Sequence, residues 1–530
     1  MIQFYSFFQL IFRYIIFSQR GLSPFYSITF SIILTVISFS GYSQSYPPKR
    51  EFRGVWVATV DNIDWPSSSS LTTVEQQREF ADLVAFHKAN GMNALIVQVR
   101  PSADALYQSN YEPWSRWLTG VEGRSPNPIY DPLEFMIGEC RRQQMEFHAW
   151  VNPFRAIFNY QQGDISDQHI FFDHPEWVVP YGKHSYLDPG LPEVRQYVLN
   201  VVMDIVNRYN IDGLHFDDYF YPYRIDSLSF SDNISFTRYG EEFDTIADWR
   251  RDNVNQFIQS VHDSIEAVKP EVRFGISPFG VWRNADADPL GSDSQARQTS
   301  YDDLYADVIT WLKNGWIDYV APQLYFSIGF ELADYQKLLD WWVKNTYGRQ
   351  LYIGQAAYKI GRPADSLWND PYQIIDQISL NRKSFQVDGS IFFSARSFID
   401  NPLGINDRLQ SGSFKYPALI PSMPWHQEEI PSPPQGILIA RNKSEVLLQW
   451  QPSIHQKDNC YYVIYGVEGD EPPNISDPTT MIAKSYYPQL TFSEEERNGI
   501  FRKKHTFVIT SVNQNHDESA MSSPVHIRLF

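Results

Sequence analysis

The chain has 530 residues, 43% of them hydrophobic and 20% charged, enough apolar material for a large core and more than one domain. Lys and Arg total 44 against 62 Asp and Glu, a net charge of −18 with no basic stripe, which argues against nucleic acid as a partner. The two cysteines, Cys140 and Cys460, stand in no metal-ligand spacing, and no phosphate-binding glycine loop, HExxH pair or calcium loop occurs, so neither a metal nor a cofactor is expected.

At the amino terminus, Arg13 and Arg20 precede the apolar run Tyr26 to Phe39, followed by small and polar residues. This is the order of a secretory signal, so residues 1–44 are expected to direct export to the periplasm, cell surface or medium, either as a cleaved leader or as an uncleaved anchor. No cysteine follows the run to carry a lipid.

From residue 45 to 411 one pattern recurs: a short apolar run ending in polar residues, then a longer amphipathic stretch. The runs are GVWVATV (54–60), ALIVQVR (94–100), EFHAWVN (146–152), GLHFDDYF (213–220), RFGISPFG (273–280), DYVAPQLY (318–325), LYIGQAAY (351–358) and GSIFFSAR (389–396). Near-continuous apolar strands separated by helices read as buried parallel strands, and eight such units predict a closed α/β barrel of the (β/α)8, or TIM, type. The stretches 156–190 and 221–247 exceed one helix each and are expected to elaborate the carboxyl-terminal rim, where barrel sites are built.

Residues 412–430 are rich in proline and predict an extended linker between two folding units. Over 431–530 the pattern alternates with period two, as in EVLLQWQP and HTFVITSVNQ, and predicts an all-β sandwich. The order of its proline-rich entry, Trp450 and the Tyr461 to Tyr465 strand resembles a fibronectin type III module.

Alternate residues of a barrel strand point inward, and those at its carboxyl end line the mouth. Counted this way, the strands offer Gln98 and Arg100, then His148, Trp150 and Asn152, then His215 and Asp217, then Gln323 and Tyr325, then Ser394 and Arg396. Polar groups repeated near the ends of five buried strands imply a polar pocket, because buried polar groups need partners. The densest point is the run Asp212 to Tyr219. Asp217 shares the inward face with His215, and Asp218 beside it perturbs its proton affinity, as paired carboxylates do in glycosidases. Asp212 is a strand-entry residue.

FRGVWVATVDNIDWPS, NALIVQVRPSADALYQS, FHAWVNPFR, DPG, DGLHFDDYFYPY, FGISPFGVWR and APQLYF together resemble the bacterial glycosyl hydrolase-like 10 family over about residues 50 to 365. The resemblance implies an exported barrel acting on a polysaccharide, and some members cleave peptidoglycan strands stripped of their stem peptides. Attachment at the cell envelope is a separate expectation, through an uncleaved leader or the carboxyl-terminal sandwich. No xylanase acid and nucleophile glutamates stand at strands 4 and 7. The strand 4 motif is similar to that of chitinase-type barrels, but Tyr219 replaces their acid glutamate.

Asp217 is therefore read as the central carboxylate, either a nucleophile or the group that orients an N-acetyl substituent beside Tyr325. Asp218 is its catalytic companion. Gln98, Arg100, Asn152, His215, Tyr219, Gln323 and Tyr325 are read as substrate binders. The second carboxyl stays open among Asp61, Asp64, Asp104, Asp188 and Asp218, with Asp104 and Asp188 otherwise joining the binding set. Trp56, Trp65, Trp114, Trp150 and Trp282 are sugar platforms or core. The alternative is a barrel that binds glycan without cleaving it.

Overall fold

The computed structural model describes residues 47–530 except 162, 164, 363–364, 427, 442–444, 453–459, 493–503 and 529–530. The expected leader lies outside the described residues, and among those described no helix is long and apolar enough to cross a membrane.

Eight parallel strands close the predicted barrel in chain order: β1 (Phe52–Val57), β2 (Ala94–Arg100), β3 (Glu146–Val151), β4 (Gly213–Phe216), β5 (Arg273–Ile276), β6 (Tyr319–Val320), β7 (Gln350–Gln355) and β8 (Val387–Phe392). Their outward side chains pack against the surrounding helices in the main core, while Phe52, Trp56, Ile96, Tyr319, Tyr352 and Ile391 fill the interior. The first long helix, Thr73–Ala89, starts on a capping box in which Thr72 and Glu75 satisfy each other's backbone N–H groups. It ends at Gly91, whose φ of 82° and contact with the Phe414 backbone exclude a side chain. Pro192 opens the helix Pro192–Arg208, where the missing N–H costs nothing.

The excursion after β3 folds into a three-stranded antiparallel rim sheet, Arg155–Ile157, His184–Leu187 and Val178–Tyr181. The proline-rich segment is bound along the barrel floor. Leu419 bridges to Arg50, Ile420 packs inside the barrel, and Arg273 and Gln350 donate to the Pro421 carbonyl. Trp425 Nε1 donates to Asp318 at 2.8 Å, and His426 lies 3.3 Å from the same carboxylate. That carboxylate raises the His426 pKa above its ordinary value against the opposing effect of burial. The stabilisation from this pair is complete below the unfolded histidine value and is lost as pH rises through the raised folded one. The protection of residues 419–426 against hydrogen exchange, after correction for the base-catalysed intrinsic rate, is therefore expected to fall between neutral and mildly alkaline pH, and His426→Gln should remove that fall in protection.

Beyond the segment, β9 (Gln435–Arg441), β10 (Val446–Gln451), β11 (Tyr461–Glu468), β12 (Met481–Ser485), β13 (Gln489–Phe492), β14 (Lys504–Val512) and β15 (Val525–Arg528) form two antiparallel sheets. Their orders are β9-β10-β13 and β12-β11-β14-β15, with Leu448, Trp450, Tyr462, Ile464 and Ile509 in the core between them. The sheets sit against the barrel floor through Lys49 with Glu518 at 2.5 Å and Glu146 with His516 at 2.8 Å.

Candidate active site

A cleft of about 300 Å³ opens at the carboxyl-terminal mouth, lined by Trp56, Trp150, Phe158, Tyr325 and Phe393 and by the carboxyls of Asp61, Asp217 and Asp218. β4 ends at Phe216, so Asp217 and Asp218 stand on the loop beyond it and both reach the cleft, although strict alternation would send Asp218 toward the helices.

Three N–H groups converge on the Asp217 carboxylate: Asn152 Nδ2 at 3.0 Å, the Asp218 amide at 2.9 Å and Gln323 Nε2 at 3.3 Å. Burial, then the Asp217 charge, push the Asp218 carboxyl well above the usual carboxylate range. The Tyr223 hydroxyl donates to Asp218. The loop thus presents two carboxyls side by side, with Asp218 held toward its protonated form.

The polar strand ends are divided between the cleft and the scaffold. Gln323, Tyr325 and Tyr219 line the cleft. Gln98 lines it too, but its Oε1 accepts the Thr59 and Val60 amides and its Nε2 donates to Asn152, so it fastens the β1 loop. Asn152, fully buried, spends its Nδ2 on Asp217 and on the Tyr219 hydroxyl at 2.6 Å, and so positions both.

Four expected binders lie elsewhere. Arg100 is enclosed with Glu112 in a buried bidentate pair, and its remaining N–H groups go to the carbonyls of Asn152 and Pro153. The cause is a register shift in β2, where Gln98 faces Trp150 but Arg100 faces Val151, so one extra residue turns Arg100 off the inward face. Asp104 sits in a separate acidic nook beside Glu122, where burial and that neighbour raise its pKa to about 7. Asp188 is a turn acceptor for the Gly190 amide and the Ser235 hydroxyl, raised to about 6 by burial. His215 is fully buried beneath the cleft floor. Among the carboxyl candidates, Asp64 ties the β1 loop to Ser394 and the Arg396 amide, while Asp61, at a left-handed φ of 57°, lines the cleft from the β1 rim. Trp56 and Trp150 are cleft walls; Trp65 and Trp282 are core, and Trp114 packs against it.

His215 belongs to an oriented hydrogen-bond chain through the barrel. The Trp56 indole N–H can only donate, and it meets His215 Nε2 at 3.1 Å, a nitrogen that also lies 2.9 Å from Ser277 Oγ. The proton of His215 is then on Nδ1, donated to Tyr319 Oη at 2.9 Å; Tyr319 donates to His148 Nδ1 at 2.9 Å, and His148 Nε2 donates to Glu146 at 3.1 Å. The carboxylate at the far end demands the same polarity, and burial lowers the pKa of both histidines, keeping them neutral. Gly213 and Gly275 make room: a Cβ there would lie 2.5 Å from His148 and 2.0 Å from the Tyr319 ring. Tyr319→Phe strands both Nδ1 atoms in a dry interior and should cost about 1–3 kcal/mol in denaturant unfolding.

Sequence reasoning passed over Arg155, Phe158, Tyr223, Ser277 and Phe393 as cleft residues. Arg155 and Tyr223 lie within the quoted motifs FHAWVNPFR and DGLHFDDYFYPY, the only signal available for them.

A closed (β/α)8 barrel with paired carboxyls between aromatic walls at its mouth is an arrangement that suits a glycoside hydrolase. Residues 51–372 match the model of the family described as glycosyl hydrolase-like 10. The chain is 44% identical over 505 residues to glycosyl hydrolase YngK of Bacillus subtilis strain 168, covering 94% of this chain and 96% of that one. It is 39% identical over 368 residues to glycosyl hydrolase DigH of Escherichia coli K12, covering 65% and 83% respectively. Among solved structures, the glycoside hydrolase domain of PgaB from Bordetella bronchiseptica matches at 12% identity and a TM-score of 0.43, over 68% of this chain and 98% of that one. The chain belongs to the glycosyl hydrolase-like 10 family and is a glycoside hydrolase.

Proposed function

We propose that this enzyme cleaves glycosidic bonds next to an N-acetylated sugar in peptidoglycan strands freed of their peptides, with the substrate's own acetamido group as nucleophile. The observation that carries the reading is the contact between Asp217 and Asp218. Two carboxyls acting from opposite sides of a bond stand about 5 to 5.5 Å apart for retention and about 6.5 to 9.5 Å for inversion. Here the carboxyls are adjacent in sequence and within hydrogen-bonding range of each other, with the Asp218 proton favoured by the Asp217 charge. In this reading Asp218 gives its proton to the leaving oxygen, while Asp217, beside Tyr325, orients the acetamido N–H and steadies the positive charge as the acetamido carbonyl oxygen attacks the anomeric carbon. Water then opens the cyclic intermediate and returns the proton to Asp218.

The charge pattern of Arg13, Arg20 and the run Tyr26 to Phe39 supports export to where such strands lie. The arrangement of three strands on four in the carboxyl-terminal sheets supports the fibronectin type III-like reading and a tethering role at the envelope.

Incubation with peptide-free strands, chitin oligosaccharides and plant glycans lacking acetamido groups, followed by mass analysis of products, tests the reading. Cleavage confined to acetamido-bearing glycans, with the peptide-free strands among them, is expected. Equal cleavage of glycans without acetamido groups would shift the nucleophile to an enzyme carboxyl, with Asp61 the remaining cleft candidate.

A further inference from the structure

The buried arginines of the barrel have carboxylate partners, with one exception in the cleft. Arg53 pairs with Glu51 at 2.7 Å, Arg100 with Glu112 at 2.5 Å, Arg250 with Asp232 at 2.5 Å, and Arg273 lies 3.8 Å from Glu146. Arg155 is 9% exposed, lines the cleft, and has no carboxylate within 4 Å among the described residues. Its guanidinium lies 4.3 Å from the Tyr219 ring centre and 5.4 Å from that of Phe158, and beyond the Tyr186 hydroxyl no described residue takes a hydrogen bond from it. Its Nε is buried without a partner. A desolvated guanidinium with unspent donors is unfavourable unless an anion completes it.

We infer that Arg155, with Phe158 and Tyr219 as its walls, is a subsite for a carboxylate carried on the substrate sugar. The inference rests on the peptidoglycan reading above: removal of the peptide from muramic acid leaves a free lactyl carboxylate, a planar group that a guanidinium fork holds with two parallel hydrogen bonds. Lys183, 6.0 Å from the Phe158 ring centre, adds a second positive charge to this edge of the cleft. In a chain of net charge −18 whose cleft carries three aspartates, that edge is where positive charge gathers, and although the Asp217 charge is felt at Arg155, no described carboxylate pairs with it. The subsite selects strands from which the peptide has gone, because an amide-linked lactyl group has no negative charge to offer.

The test compares peptide-free strands with the same strands after conversion of their lactyl carboxylates to methyl amides, using the full chain and the variants Arg155→Gln and Arg155→Lys. The unsubstituted enzyme should favour the acid form in kcat/KM. Arg155→Gln should lose at least about thirtyfold more on the acid form than on the amide form, and Arg155→Lys, which keeps the charge without the fork, should recover part of that difference. An unchanged ratio in Arg155→Gln, or no preference in the unsubstituted enzyme, overturns the subsite. If neither form is hydrolysed, the catalytic reading fails on its own, and calorimetric titration decides the subsite. A preference for the acid form that Arg155→Gln abolishes upholds it, while equal or absent binding of the two forms removes it.

Discussion

Asp217→Asn is expected to lower the hydrolysis rate by at least about a hundredfold while leaving the melting temperature nearly unchanged. The substitution keeps the size of the side chain but replaces one acceptor oxygen with an amide and removes the charge. Asn152, Gln323 and the Asp218 amide all point N–H groups at that side chain, so an uncharged amide loses the complementarity that a carboxylate enjoys. The loss acts twice: the orienting anion is gone, and so is the charge that helps keep the neighbouring Asp218 protonated. Glycan binding should survive, which separates a catalytic role from the reading of a barrel that only binds. Hydrolysis at the unsubstituted rate would place the chemistry on another carboxyl.

Arg100→Gln should destabilise the fold by about 3–5 kcal/mol and change KM little in whatever fraction remains folded. The pair it forms with Glu112 is fully buried, and its other donors hold the carbonyls of Asn152 and Pro153 at the end of β3. Removing the guanidinium leaves Glu112 charged in a dry site, a far larger penalty than the loss of one surface contact. Chemical denaturation would read it, and a raised KM with normal stability would return Arg100 to the binding set.

The contrast between Arg100 and Asp217 shows where a sequence informs on such a site. Alternation along β3, β4 and the β6 extension correctly brings Trp150, Asp217, Gln323 and Tyr325 to one mouth, because strand periodicity is a local property. A single extra residue in β2 inverts the alternation, and nothing in ALIVQVR marks it. Asp104 and Asp188 follow strands or turns in the same manner as Asp217, yet each serves a neighbouring backbone amide, a choice settled by loop geometry. Arg155 and Phe158 reach the cleft through a rim sheet whose strands come from both ends of a long excursion. Prolines at 417, 421 and 424 specify an extended segment, but its seat on the floor depends on Arg50, Arg273, Asp318 and Gln350, distant in the chain.

The pH dependence of kcat/KM on peptide-free strands, measured for the unsubstituted enzyme and for Asp218→Asn, bears most directly on the acid and anion pair. In the proposed reading Asp218 works in its protonated form, so activity should fall as pH rises through its elevated pKa. In Asp218→Asn the rate should drop and the alkaline limb should vanish. An alkaline limb that persists unchanged in Asp218→Asn would contradict the assignment of Asp218 as the proton donor.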